Sequence, residues 1–346
     1  MNTMLAAALS PDDHPTSADV VVIGAGINGA STAFQLARRG MGQVVLLERR
    51  HFGAGATGKS GALVRAHYPN RPETQLTFES LKIFKNWGEE VGHGDPGFEA
   101  NGFLRIGRPE AEEQFRACVA AHQEIGVETM IVSRDEIREI EPLMRTDDIT
   151  CAVYEPGSGF ADPVATLYGF VQAAAELGVA IHTETEATRI LTAGDAVKGV
   201  ETNRGTIATE RVVLAGGAWA NNLLLPLGID LGLVPRRIQV TVFRWPPEID
   251  EKRRHPTVID SINHSWFRPE GTAGTLIGVE FDETGIDPDN YRETVDEKYI
   301  DLARRTLAVR FPVFANATMR GAWSGIVMHS PDSHPIIGEA PGLRSL

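Results

Sequence analysis

Cysteine is scarce in this chain: Cys118 and Cys151 are the only two in 346 residues. Two thiols make neither a disulfide framework nor a cysteine-rich metal cluster, and free thiols suit a reducing compartment, so a cytoplasmic location is expected. Ten histidines are present, yet none follow the spacings H-x-x-x-H or H-E-x-x-H, so no metal is expected. No apolar run approaches the roughly 20 residues that cross a bilayer, which excludes a helical membrane span. Positive charge is also short. The formal net charge is −13, which argues against nucleic acid and anionic membrane surfaces as partners. The leader Met1–Ser17 has no basic start and turns acidic at Asp12 and Asp13. It reads as a disordered tail, not a signal peptide. Internal repeats and low-complexity tracts are absent.

Glycine, by contrast, is plentiful, and its most informative use is in Ala18–Gly29. The apolar run Val20 to Ile23 leads straight into Gly24-Ala25-Gly26-Ile27-Asn28-Gly29, and a helical pattern follows from Ala30 to Arg39. This is a buried strand feeding a G-x-G-x-x-G turn. Gly24 permits the sharp turn, Gly26 leaves room for a pyrophosphate, and Gly29 lets helix and strand pack closely. Free N–H groups at the helix start, Ile27 and Asn28 among them, then face phosphate charge. A second strand, Gln43–Leu47, ends at Glu48, whose carboxylate can take both hydroxyls of an adenosine ribose. Strand, glycines, helix, strand and acid in that order point to a dinucleotide. Gly53-Ala54-Gly55-Ala56-Thr57-Gly58 repeats the glycine spacing with no strand before it. It reads as a flexible loop over a bound ligand.

Further along, helical spacing covers Thr74–Val91, Glu110–Ile125 and Thr294–Phe311. A capping box opens a short helix at Ser133, and Asp162-Pro163 opens another that runs to Leu177. Phe98–Gly107 reads as two strands around Asn101-Gly102. Thr188–Leu191, Ala196–Thr202 and Gly205–Ala208 read as a meander, Arg211–Leu214 as a buried strand, and Pro335–Gly338 as a short strand. From Pro235 to Glu280 the alternation predicts an antiparallel sheet. The fold class expected is α/β, a Rossmann-like dinucleotide-binding domain with an inserted antiparallel-sheet domain. The first comprises 18–66, 151–225 and 322–346, and the second 67–150 and 226–321.

This order of motifs resembles the D-amino-acid oxidase/sarcosine oxidase superfamily of FAD-dependent oxidoreductases, in look most of all the β-subunit branch of heterotetrameric sarcosine oxidase. The resemblance runs over about residues 18–342. It rests on the first turn with Glu48, on SGALVRAHY, FADPVATLYGF, RVVLAGGAWAN and WFRPEG, and on RGAWSGIVMHSPDSHPIIGEAPG. It implies FAD, and a reaction in which a small amino acid or N-methyl amino acid loses a hydride from the carbon beside nitrogen. The alternatives kept are a dehydrogenase that passes electrons to a quinone or a flavoprotein, and an inactive FAD-binding subunit or fragment. By the same resemblance Arg49 joins Glu48 in the cofactor site, and Ala187 meets adenine through its backbone. Gly216, Gly217 and Trp219 lie beside the dinucleotide, and Thr57, Ser60, Gly61 and Ala62 pass close to the flavin ring.

For the substrate, Arg65 matches an arginine that binds the carboxylate, a task suited to a planar bidentate guanidinium. The alternative is a surface arginine paired with Glu73 or Glu79. His67 follows on the same face of an extended segment, as a tuning or relay group or as a packing histidine. Trp266 stands where that branch has a tyrosine, and Glu280 where it has a histidine. Each has a plain structural alternative, as core aromatic and as solvated strand end. Departures from the family pattern matter equally. No cysteine precedes Pro331-Asp332, and Ala161 replaces a histidine that could carry flavin, so FAD is expected to bind non-covalently. Val327 stands in place of another carboxylate-binding arginine, and Leu276 in place of an oxygen-activating lysine. The family usually continues past a segment like Ala340-Pro341-Gly342, so either a longer chain or another subunit is expected to complete the flavin site.

Overall fold

In the computed structural model, residues 14–247, 249, 254–281 and 283–346 are described. The strand Val20–Ile23 lies inside a four-stranded parallel sheet. Its order is Val212–Leu214, Val20–Ile23, Val44–Leu47, Ala180–His182. Val20–Ile23 and Val44–Leu47 are buried at every position, which explains runs of apolar residues without alternation. Val20, Val22, Val44 and Leu46 pack on Ala30, Ala33 and Phe34 of helix Ile27–Arg38 and on Leu167, Phe170 and Val171 of helix Pro163–Glu176. Val21, Ile23, Val45 and Leu47 pack the other way, on Ile190, Val200 and Ile207 of a three-stranded meander and on Leu223 and Leu224. Period-two side-chain direction thus feeds two cores from one strand. Each fully buried Val or Leu contributes about 1.5–3 kcal/mol of transfer free energy to that layer.

The second sheet has nine strands. Its order is Glu283–Thr284, Val234–Arg244, Gly274–Val279, Ser265–Glu270, Thr257–Asp260, Phe103–Ile106, Cys151–Glu155, Met130–Ser133, with Met319–His329 paired along Val234–Arg244. All its pairings are antiparallel but one, Thr257–Asp260 beside Phe103–Ile106. One face is apolar. Leu104, Ile106, Val258, Phe267, Ile277 and Phe243 form a core with Tyr299, Ala303 and Leu307 of helix Glu297–Arg310 and with Trp245, Phe311 and Phe314. Register fixes the opposite face. Arg105 is opposite Ile259, Ile259 opposite Trp266, Trp266 opposite Gly278, Gly278 opposite Val240, and Val240 opposite Trp323. This row faces the layer that carries the first sheet.

Several sequence expectations change here. Phe98–Gly107 is not a hairpin: only Phe103–Ile106 is a strand, and both its partners are remote in sequence. Cys151–Glu155, grouped by sequence with the nucleotide-binding segments, pairs in the nine-stranded sheet, as does Met319–His329. The helix expected over Thr74–Val91 starts at Arg71, where the Asn70 side chain accepts the Glu73 N–H, and breaks at Asn86 before Trp87–Glu90. Pro335–Gly338 forms no strand: Pro335 lacks an N–H, and Ile336 and Ile337 are exposed. Met1–Asp13, most of the expected disordered leader, lie outside the described residues. Among the described residues no helix is long and apolar enough to cross a membrane.

Candidate functional site

A cleft of about 310 Å³ opens where the first sheet's strands end. Gly24, Gly26, Ile27 and Asn28 line it from the first turn, Glu48 and Arg49 from the second strand's end, and Thr57 from the following loop. Ala187, Gly216, Gly217 and Trp219 close it. Gly24 has φ +99°, and a β-carbon there would meet the Ala215 carbonyl oxygen at 2.5 Å. A β-carbon on Gly29 would sit 1.8 Å from the Gly24 carbonyl oxygen. Gly29 is therefore a packing residue beneath the turn and does not line the cleft. A β-carbon on Gly26 would meet just Thr57 Oγ1, at 3.1 Å. That hydroxyl accepts the Ile27 N–H at 3.0 Å. Glu48 is held by two backbone donors: Ala25 N–H to Oε2 at 3.1 Å and Arg50 N–H to Oε1 at 2.9 Å. Each oxygen keeps a lone pair for a further donor.

The loop Gly53–Ala62 is a packed turn and not the open flexible loop its glycines suggest. Gly58 N–H bonds to the Gly53 carbonyl, and Thr57–Lys59 form one 3₁₀ turn. The loop then lies on the row described above. Trp323 Nε1 donates to the Lys59 carbonyl at 3.0 Å, and Arg268 Nε donates to the Gly61 carbonyl. The Trp266 indole fills the space beside both Gly61 and Gly278, where β-carbons would come within 2.2 and 2.4 Å of it. Ser60 Oγ accepts the Ala62 N–H, and Ala62 has φ +48°. Ser60, Gly61 and Ala62 thus lie on the sheet side and do not line the cleft. Leu276, fully buried, packs with Val240, Val242, Trp266 and Trp323.

Arg65 is half-buried and pairs with neither Glu73 nor Glu79. Its guanidinium lies 4.0 Å over the Tyr68 ring and 5.6 Å from the Phe103 ring centroid, and Nη1 donates to the His67 carbonyl. His67 is buried against Phe115 and His122. Burial lowers its pKa to about 3, with help from His122, Arg65 and Arg105, so the ring is neutral near pH 7. His67, His122 and Glu155 form a buried cluster whose potential ligand atoms lie within 4.8 Å of one another, a grouping that sequence spacing did not reveal. Glu155 Oε2 accepts the Ala66 N–H at 3.0 Å and the Ser158 hydroxyl at 2.7 Å, and burial pushes its carboxyl up. Glu280 follows the end of the interior strand Gly274–Val279, with its side chain 74% exposed, bonded to His264 Nδ1 at 2.9 Å and within electrostatic reach of Arg105.

The profile of the family described as FAD dependent oxidoreductase matches residues 19–346. This chain belongs to the FAD dependent oxidoreductase family. It is similar to the β subunit of sarcosine oxidase from Arthrobacter sp, 29% identical with 94% of this chain and 80% of that protein covered. It is 28% identical to mitochondrial dimethylglycine dehydrogenase of Rattus norvegicus, covering 97% of this chain but 41% of that protein. The chain therefore spans about two fifths of such relatives. Among solved structures, L-proline dehydrogenase from P.horikoshii is 27% identical with a TM-score of 0.86, over 96% of this chain and 87% of that one.

The cleft fits the family's FAD. Its floor is glycine and alanine backbone, a helix N-terminus opens onto it, and Glu48 presents a fixed carboxylate at the end of the second strand. Sequence reasoning missed Asp289. Its Oδ1 accepts Trp219 Nε1 at 2.8 Å and pairs with Arg49, whose guanidinium lies 4.3 Å over the Trp219 ring. Arg105, His122, Glu155 and Arg268 were missed as well. Arg268 lies within WFRPEG but carried no role there; Arg105 and Glu155 stand on paired strands from distant segments, and His122 reaches their side from the helix Glu112–Ile125.

Proposed function

We propose that this flavoprotein oxidises the C–N bond of a small amino acid or N-methyl amino acid, with Arg65 holding the substrate carboxylate. The carrying observation is the position of the Arg65 guanidinium, half-buried on Tyr68 and Phe103 beside the row that bears Trp266. The glycine turn, Glu48 and Thr57 would hold the dinucleotide, non-covalently because no cysteine or histidine lines the cleft and Ala161 stands in place of a tethering histidine. When bound, FAD supplies the two-electron acceptor. The chain's residues then have three tasks. Arg65 offers its remaining N–H donors to a carboxylate and so orients the amine. Trp266, wedged between Gly61 and Gly278, forms a rigid apolar wall that excludes water. His67, neutral and buried, keeps a further positive charge away from the bound amine.

The FAD-loaded protein, mixed without oxygen with sarcosine, dimethylglycine, glycine, proline and glutamate, should lose its yellow absorbance with at least one of them. Absorbance unchanged by all carboxylated amines would overturn the proposal.

Leu276 favours an acceptor other than oxygen. It is fully buried in an apolar cluster, where the family resemblance leads one to look for a lysine. Substrate turnover with a quinone or flavoprotein dye, and little peroxide per substrate consumed, is the expected result. One peroxide per substrate would reverse this reading.

A further inference from the structure

Arg105 lies on the strand Phe103–Ile106, two residues from Phe103 and therefore on the same face. Arg65 approaches that face over the Phe103 ring. Arg105 is also next in the row to Ile259 and Trp266. The two guanidiniums thus border one space. Among the described residues, Arg105 makes no hydrogen bond and no ion pair. None of the nearby carboxylates pairs with it. Asp260 bonds Arg310 on the opposite, apolar face, Glu280 bonds His264, and Glu155 takes the Ala66 N–H and the Ser158 hydroxyl on Oε2, its buried Oε1 making no bond to either guanidinium. Burial lowers the pKa of Arg105 and the charge of Arg65 lowers it further, against an opposing pull from Glu280 and Asp260. Two half-buried guanidiniums that form no ion pair repel each other and are costly to desolvate unless anions meet them. One carboxylate can engage one guanidinium in bidentate fashion; a second guanidinium calls for a second carboxylate.

We propose that Arg105 is a second carboxylate anchor beside Arg65, and that the substrate is an amino acid bearing two carboxylates, one next to the reacting nitrogen and one further along. The inference deepens the proposed function and rests on its assignment of this face to the substrate.

The test uses redox-inert anions on the FAD-loaded protein, with binding measured by calorimetry. Glutarate should bind about 10- to 100-fold more tightly than butyrate, the gain from one further charge-assisted pair. Arg105→Met and Arg105→Gln should bring glutarate down to the level of butyrate and leave butyrate unchanged. Arg105→Lys should recover part of the preference. Flavin content confirms that each variant is folded. Equal binding of the two anions in the parent protein, binding of neither, or a preference that survives both Arg105 variants would each overturn the proposal. A protein oxidising amines without a glutarate preference would sink this inference alone. A glutarate preference without amine oxidation would sink the proposed reaction and leave the paired anion site standing.

Discussion

Trp266 occupies the space that a side chain on Gly61 would need: a β-carbon there would come within 2.2 Å of its Cη2. The loop after the first βαβ unit and the nine-stranded sheet therefore meet through one indole lying against bare backbone. Gly61→Ala must displace that indole. The expected loss is about 1–3 kcal/mol of stability, typical of overpacking, with a shift in tryptophan emission. Unchanged stability and emission would mean that the contact is loose.

The glycines of the first turn have separable roles. Gly29 faces the Gly24 carbonyl, so Gly29→Val should prevent folding. Gly26 faces the cleft and Thr57 Oγ1. Gly26→Val should fold, with reduced stability, and fail to bind FAD. Circular dichroism and flavin content measured together distinguish the two. Equal behaviour of the variants would contradict the assignment.

Glu48→Ala should weaken FAD binding by about 1–3 kcal/mol, since it removes a charge-assisted acceptor. FAD titration of the apoprotein measures this directly. Affinity equal to that of the parent would take Glu48 out of the cofactor site.

His67 gives a pH dependence of definite sign. Its pKa falls from 6.5 to about 3 on folding. Between those values the unfolded chain binds the extra proton, so the contribution is intact above pH 6.5 and is lost as pH falls towards 3. Glu155, raised by burial, works in the opposite sense: it favours the folded state at low pH and less so as pH rises through its folded pKa. His67→Gln should flatten the acid side of a plot of urea midpoint against pH. A slope identical to the parent's would contradict the burial of a neutral ring.

What the sequence made legible was local. The strand, the glycine turn, the following helix and Glu48 lie within about thirty residues, and each element states its role through apolar run, glycine or terminal acid. The capping box at Ser133 and the N-cap at Asp162 were readable for the same reason and are formed. The face opposite the sheet's core was not readable. Arg105 meets Ile259 and Trp266 only because Phe103–Ile106 inserts between Cys151–Glu155 and Thr257–Asp260, and no period within one segment encodes that register. Gly61 carried no sign of its own that an indole more than two hundred residues away would fill its open side.

The most direct measurement is flavin reduction by carboxylated amines in Arg65→Ala. Breaking a half-buried charge pair should slow reduction by the equivalent of about 2–5 kcal/mol, with reduction by dithionite unaffected and Arg65→Lys restoring part of the rate. Reduction of the Arg65→Ala flavin by the same amines at the parental rate would contradict the assignment of Arg65 as the substrate anchor.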